Sequence, residues 1–371
     1  MNEFDFRKYL KKNPSETIEK INSVADGFFR IGVVIPILGE SEFFYQTLAS
    51  LAEAQANFKE KVFVLGVFNH NPKTPPEYIQ DNEKLLNSLQ KNSFPYPDLN
   101  FAVINLKFPL RYAVGEARKI GMDSIINVIS PDYSMAKNSI IISLDGDTLV
   151  EKDYFQKIAD FFANNPKTDA AAFEVIHQKS DDEKIEKAIR DYEEYLEKYY
   201  LALKECESPF AYKSVGSALA VRVSSYIQAG GMRKERSGED FYFLEAVAKI
   251  GKVDFVRDII VHPSPRISRR VAFGTGTAVE EIINGKVYQH FDQTACAELK
   301  KLLQSATNEN LISTTKFLSL QHENTAKFLI EHNFEKCWEK VLQNYPAEKL
   351  AKQFKFYYFD ALKTLQFLKI W

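Results

Sequence analysis

The chain is poor in cysteine, with only Cys206, Cys296 and Cys337 among its 371 residues, an odd number with no zinc-binding spacing. A disulfide framework is not expected, and the thiols read as reduced and structural. An excess of one charge is also missing. Against 50 Asp and Glu stand 48 Lys and Arg, a formal net charge of -2, so no nucleic-acid partner is expected. No stretch approaches the ~20 apolar residues of a membrane span. The opening Met1-Asn-Glu-Phe-Asp-Phe lacks the basic and apolar regions of a signal peptide, so a cytoplasmic location is expected, with peripheral contact at the inner face of a membrane as the alternative. Internal repeats and low-complexity tracts are absent.

What remains is an ordinary globular composition, 45% hydrophobic and 26% charged, long enough for one large domain with appendages or for two domains. Residues 1–28 are polar and helix-like, with a break at Asn13-Pro14-Ser15, and read as an N-terminal extension. Strand and helix patterns then alternate. Ile31 to Pro36 reads as a buried strand, Glu42 to Gln55 as a helix, and Lys61 to Phe68 and Asn100 to Leu106 as further strands. A helix is expected at Val114 to Asn127, a strand at Ile140 to Leu144 and another at Ala170 to His177. This alternation predicts a mostly parallel α/β sheet flanked by helices, whose ligands bind at the carboxyl ends of the strands. Beyond it come a charged helix over Ser180 to Glu205, with one apolar face for its own domain or a partner, strands at 214–222 and 252–261, and a helix at Phe241 to Ile250. From about Val287 the chain reads as helical and rich in aromatics. The domain organisation expected is 1–28, 29–285 and 286–371.

The Ile140–Leu144 run ends in Asp145-Gly146-Asp147. Two acids separated by one glycine at a strand end place charge in a crevice, where hard oxygen ligands suit Mg²⁺ or Mn²⁺ and that cation in turn binds a diphosphate. Gly146 lacks the side chain that would block a close ligand. The structural alternative is an Asp-Gly turn, with Thr148 and Glu151 spaced as a capping box for a following helix. A calcium loop is excluded, because counting from Asp145 puts Val150 at the sixth place and Gln156 at the twelfth.

Further along come Val215-Gly216-Ser217, the acidic pair Glu239-Asp240 after Gly238, and His262 before Pro263. In this order the landmarks resemble the GT-A glycosyltransferases, in particular family 2, with its DxD motif, glycine loop, xED motif and late metal-binding histidine. The opening strand through Pro36 with Glu40, and Ala117-Arg118-Lys-Ile-Gly121, are similar to that family's early segments. The likeness covers about residues 30–275. It implies a GT-A, Rossmann-like fold in which Asp147 is the principal metal ligand, Asp145 faces the donor ribose or the metal, and His262 completes the metal set. Asp240, beside Glu239, is implied as the catalytic base, and Pro36, Glu40, Asn69 and Arg118 as donor-binding residues. Asp240 and Glu239 alternatively complement the dipole of a helix start.

Arg266, Arg269 and Arg270, before Gly274 and Gly276, read either as a lid that clamps phosphate oxygens or as a solvated basic loop. The spacing of a Walker loop is absent. Phe68 is followed by Asn69-His70-Asn71 where the family commonly has an aspartate-rich loop, so UDP- and GDP-sugars both stay open as donors. The expected activity is inverting transfer of a sugar from a nucleoside-diphosphate donor to a hydroxyl acceptor, a glycan, a lipid-linked molecule or a small molecule, in cell-envelope glycan or glycoconjugate synthesis. A sugar nucleotidyltransferase and a nucleotide-sugar-binding scaffold or sensor are the alternatives. The aromatic and lysine-bearing segment Phe354 to Trp371 reads as a stripe packed on its own domain, on a second copy as a homodimer, or at a membrane interface.

Overall fold

Continuous apolar runs supply the sheet, and polar glycine- and proline-bearing segments turn the chain between them. The computed structural model describes every residue except 23–27, 92–93, 236–237, 268–274, 289–290 and 371. Helix α1 (Glu3–Lys12) and the short β1 (Glu19–Lys20) precede β2 (Ile31–Ile37), which α2 (Phe44–Ala56) connects to β3 (Val62–Phe68). Both long strands are buried at every residue, as expected where neither face meets water. Next come α3 (Pro76–Lys91), β4 (Asn100–Asn105), α4 (Ala113–Ile129) and β5 (Ile140–Ser143). Then follow β6 (Thr148–Val150), α5 (Tyr154–Asn164), β7 (Ala170–Val175), α6 (Glu183–Glu205), β8 (Leu219–Arg222), α7 (Val223–Gln228), α8 (Glu239–Ile250), β9 (Val253–Pro263) and α9 (Thr275–Ile283).

Among the described residues the strands form one nine-stranded sheet in the order β1-β4-β3-β2-β5-β8-β7-β9-β6, so the fold class is α/β. The block β4-β3-β2-β5 is parallel, and β8 enters antiparallel to both β5 and β7. The carboxyl ends of β2 and β5 therefore open at the same edge. Two details depart from the sequence reading. Of 214–222 only Leu219–Arg222 is strand, because Val215 to Ala218 closes a turn through the Ala218 N–H and the Val215 carbonyl (2.9 Å). Thr148 opens β6 rather than a helix. Its hydroxyl finds no hydrogen-bond partner, and the next helix starts six residues later at Tyr154. Pairing of Leu149 with His262 holds these residues extended, which overrides the capping-box spacing.

The chain divides into two compact units, Met1–Glu193 with Lys213–Lys286, and Glu194–Tyr212 with Val287–Trp371. Helix α1 belongs to the first, where its Tyr9 hydroxyl donates to Asp123 (2.7 Å). Tyr226 donates to the same carboxylate (2.8 Å) and Lys119 pairs with it (2.8 Å). Burial, followed by the Asp123 charge, pushes both tyrosine hydroxyls up, so they stay protonated as donors.

The second unit contains α10 (Gln293–Ser305), α11 (Thr314–Ser319), α12 (Glu323–Glu331), α13 (Phe334–Asn344), α14 (Leu350–Gln353) and α15 (Ala361–Leu368). Its core is aromatic: Phe317, Phe334, Trp338 and Phe354 are fully buried, and the Trp338 indole donates to the Leu311 carbonyl (2.7 Å). Phe354, Phe359 and Phe367 of the terminal stripe lie in this core, while Tyr357, Leu362 and Ile370 are exposed. All three cysteines are free thiols, and the Cys206 thiol donates to the Cys296 carbonyl (3.2 Å). Among the described residues no helix is long and apolar enough to cross a membrane.

Replacing Asp123 by Ala would leave the half-buried Lys119 ammonium and two buried hydroxyls without their acceptor. A loss of about 3–5 kcal/mol is expected in urea unfolding, as when one partner is deleted from a buried pair. A loss under about 1 kcal/mol, the range of exposed pairs, would show that the cluster does not hold α1.

Candidate active site at the strand ends

Helix α4 presents Ala117, Met122, Ile125 and Ile129 to the sheet, and Arg118 lies in the same buried stripe with 4% of its side chain exposed. Such a charge is tolerable only when each donor finds an acceptor. Here Nε donates to Glu239 (2.9 Å), Nη1 to the Ser143 hydroxyl (2.6 Å) and Nη2 to Asp145 (2.5 Å). Ser143 in turn donates to the Gly216 carbonyl (2.7 Å). Burial opposes the guanidinium charge, yet Asp145 and Glu239 outweigh it and raise its pKa. A Cβ on Gly216 would sit 2.6 Å from Arg118 Nη2, so this turn requires glycine. One side chain thereby joins the end of β5, the glycine turn and the start of α8.

A second arginine gathers the other acids. Nη2 of Arg266 contacts both Glu40 (2.5 Å) and Asp147 (2.7 Å), with the guanidinium over the Phe43 ring (4.6 Å). Burial works against this charge too, and Asp147 and Glu40 raise its pKa despite it. Arg266 Nε is buried without a hydrogen-bond partner. A Cβ on Gly146 would meet the Glu40 side chain at 3.0 Å, so what this glycine makes room for is Glu40. Arg269 and Arg270 lie outside the described residues.

His262 pairs across from Leu149, and its Nδ1 contacts the Ile176 carbonyl (2.8 Å) while Nε2 lies 3.9 Å from Glu151. A carbonyl can only accept, so Nδ1 carries a proton, and Nε2 is the ring nitrogen turned away from that contact. The strand end is tied to the acidic turn by backbone. Ser264 N–H donates to the Asp147 carbonyl (3.1 Å), and the Gln178 amide donates to the carbonyls of Asp147 (3.1 Å) and His262 (2.8 Å). Gln178, Ser143 and Phe43 were not anticipated as site residues. Gln178 acts through two carbonyls distant in sequence, which no local pattern announces.

Among the described residues no three His, Cys, Asp or Glu side chains converge on a point where a metal would be held. Asp145, Asp147 and His262 have the right donor chemistry, but Arg118 and Arg266 engage the two carboxylates. Pro36 and Asn69 also make contacts within the sheet. Pro36 is buried in β2 opposite Val67, and the Asn69 amide donates to the carbonyls of Ile37 (3.0 Å) and Val67 (3.2 Å).

Asp240 occupies the first turn of α8, where its carboxylate accepts from the Phe241 N–H (2.9 Å). Burial first, and the Glu239 carboxylate second, raise its pKa from 3.8 to about 7, with Arg118 and the backbone donors opposing the rise. Glu239 is committed to Arg118. Asp240 is thus the acid whose protonation changes near neutrality, the property of a group that takes up a proton.

No protein-family model matches the chain, and no curated protein matches it. Among solved structures, Staphylococcus aureus TarS residues 1–349 in complex with UDP-GlcNAc is 12% identical, at a TM-score of 0.43, over 89% of this chain and 93% of that one. The mannosyltransferase PcManGT from Pyrobaculum calidifontis, in complex with GDP-Man and Mn²⁺, is 13% identical, at a TM-score of 0.44, over 98% of this chain and 93% of that one. These likenesses are loose, and the assignment of roles rests on this chain's own side chains.

Arg118→Met would leave Asp145 and the buried Glu239 unpaired, and a loss of about 3–5 kcal/mol is expected in chemical unfolding. A second test uses pH. Because the folded-state pKa of Asp240 is raised, the native state binds its proton more tightly than the unfolded chain. Its contribution is therefore full below about pH 4 and lost as pH rises through about 7. Asp240→Asn has no such proton to lose. Its melting temperature relative to the parent should climb across that window and level off above it, whereas a constant difference would place the Asp240 pKa in the ordinary range.

Proposed function

We propose that the chain is a glycosyltransferase of the GT-A kind, inverting, that moves a sugar from a nucleoside-diphosphate donor to a hydroxyl acceptor in cell-envelope glycan or glycoconjugate synthesis. The observation that carries this reading is the buried Arg118 bridge, which sets Asp145-Gly146-Asp147 at the end of β5 beside Glu239-Asp240 at the start of α8. Two acidic groups with different environments meet at the strand ends of an α/β sheet, where ligands bind. Glu239, held by Arg118, is a positioning residue.

In the proposed reaction the acceptor oxygen attacks the anomeric carbon and its proton passes to the Asp240 carboxylate. The bond from that carbon to the diphosphate oxygen breaks, and its electron pair leaves with the nucleoside diphosphate. A carboxylate with a pKa near 7 is deprotonated often enough to accept this proton and basic enough to hold it. A divalent cation, Mn²⁺ or Mg²⁺, held by Asp145, Asp147 and the His262 Nε2 would neutralise charge on the departing diphosphate. The proposed place of work is the cytoplasm.

The test is release of nucleoside diphosphate from UDP- and GDP-sugars with water as acceptor, in Mn²⁺, Mg²⁺ or EDTA, alongside thermal shift with UDP and GDP. Donor release should rise with pH through about 7. Asp240→Asn should keep the nucleotide-dependent thermal shift and lose about 10²–10⁴ of the rate, the usual contribution of a general base. Near-normal release by that variant would remove Asp240 from the chemistry, and no nucleotide shift under any condition would remove the donor site.

A further inference from the structure

Two of the three cysteines meet in the core of the second unit. Cys206 directly follows α6 and Cys296 lies at the end of the first turn of α10, 90 residues on, and the Cys206 thiol reaches the Cys296 carbonyl at 3.2 Å. Both stand in the same apolar cluster as Leu203, Leu299 and Leu302. Packing as small apolar side chains would explain either thiol alone, but it asks for no contact between the sulfurs. Here that contact is the largest influence on the acidity of each. It raises Cys206, the donor, and lowers Cys296, the acceptor, against burial and the charges of Glu205 and Asp292. The pair gives up its first proton at Cys296, and the Cys206 thiol hydrogen-bonds the thiolate that remains. A thiolate with a second thiol already in reach is the arrangement from which a disulfide closes.

The pair also has an approach. A cavity of about 60 Å³ is lined by Cys206, Glu207, Pro209, Leu303, Gln304 and Lys355. Lys300, paired with Glu207 (3.0 Å), favours ionisation of Cys206. Cys206 is fully covered and Cys296 is 5% exposed, so a bulky reagent is shut out of the folded core. A water needs about 10–15 Å³ of such space, so the cavity admits a reagent of a few non-hydrogen atoms and excludes one of peptide size.

We propose that Cys206 and Cys296 form a peroxide-sensitive dithiol site, which closes to a disulfide when hydrogen peroxide enters the cavity and reopens on reduction. The ionised sulfur attacks one peroxide oxygen and the O–O bond breaks; the other oxygen keeps the electron pair, takes a proton and leaves as water. The second sulfur then attacks the sulfenic acid so formed, the S–S bond forms, and the S–O bond breaks to release a second water with the remaining thiol proton. Two thiols and one peroxide become one disulfide and two waters, the sulfurs supplying the two electrons that reduce the peroxide. The inference stands apart from the glycosyltransferase reading, because both cysteines and the cavity belong to the second unit.

The experiment uses the full chain carrying Cys337→Ser, which removes the exposed thiol. It is treated with hydrogen peroxide or with oxidised glutathione, folded or in urea, then alkylated and read by intact mass and by peptide mapping without reductant. On the folded chain peroxide should consume both thiols as a Cys206–Cys296 disulfide, with loss of two hydrogens and no added oxygen, and dithiothreitol should return them. Urea should speed the reaction with oxidised glutathione at least about tenfold and that with peroxide far less, since only the larger reagent is kept out by the fold. Closing a loop of 90 residues should raise the melting temperature by at least about 4 °C. Cys206→Ser and Cys296→Ser, each leaving one thiol, should stop at an oxygenated sulfur and lose that rise; where a variant does not fold, the thiol count of the Cys337→Ser chain decides by itself. A disulfide that forms only in urea, oxygen added to one sulfur while the other thiol survives, or a melting temperature unchanged or lowered by oxidation overturns the site. Equal rates with oxidised glutathione in the folded and unfolded chain overturn it as well.

Discussion

The site depends on a guanidinium that the fold has taken out of water. Arg118 lies among apolar residues of α4, and a charge in such a place destabilises a protein unless it is neutralised and hydrogen-bonded on all sides. That requirement dictates neighbouring structure. Asp145 must come from the end of β5, Glu239 from the start of α8 and the Ser143 hydroxyl from the strand, while position 216 must lack a side chain. Segments separated by more than a hundred residues are thus brought to one edge of the sheet by the need to satisfy a single side chain.

The chemistry of Asp240 follows from the same constraint. Burial holds the Asp240 proton more tightly, and the Glu239 carboxylate, bound to Arg118 one residue earlier on α8, adds to the effect. Arg118 itself opposes the rise at Asp240, so the pairing of the guanidinium with the neighbouring Glu239 leaves burial to set the direction of the shift.

Much of this arrangement was legible from sequence, for definite reasons. Strands β2 and β3 are buried on both faces, so each appears as an unbroken apolar run, and Asp145-Gly-Asp147 shows as the abrupt end of another. Strand β6 was not legible. Three residues are too few for a period, and Thr148 is held extended by pairing with a segment more than a hundred residues away, against a local capping signal. The same limit hid Gln178 and Phe43. Asn69 was visible as a polar residue at a strand end, yet its amide donates to backbone carbonyls of two strands, a contact that depends on register. Grouping of acids was readable wherever it followed order along the chain, and unreadable where it depended on which arginine reached which carboxylate.

That last distinction separates a fixed cation from an exchangeable one. Both Arg118 and Arg266 are raised in pKa by neighbouring acids against the effect of burial, so charge alone does not distinguish them. Directionality does. A guanidinium whose Nε, Nη1 and Nη2 all donate within the fold has nothing to gain by moving, and mainly orders its surroundings. One with two acids on a single nitrogen and a buried Nε without an acceptor gains a hydrogen bond from any oxyanion that reaches it.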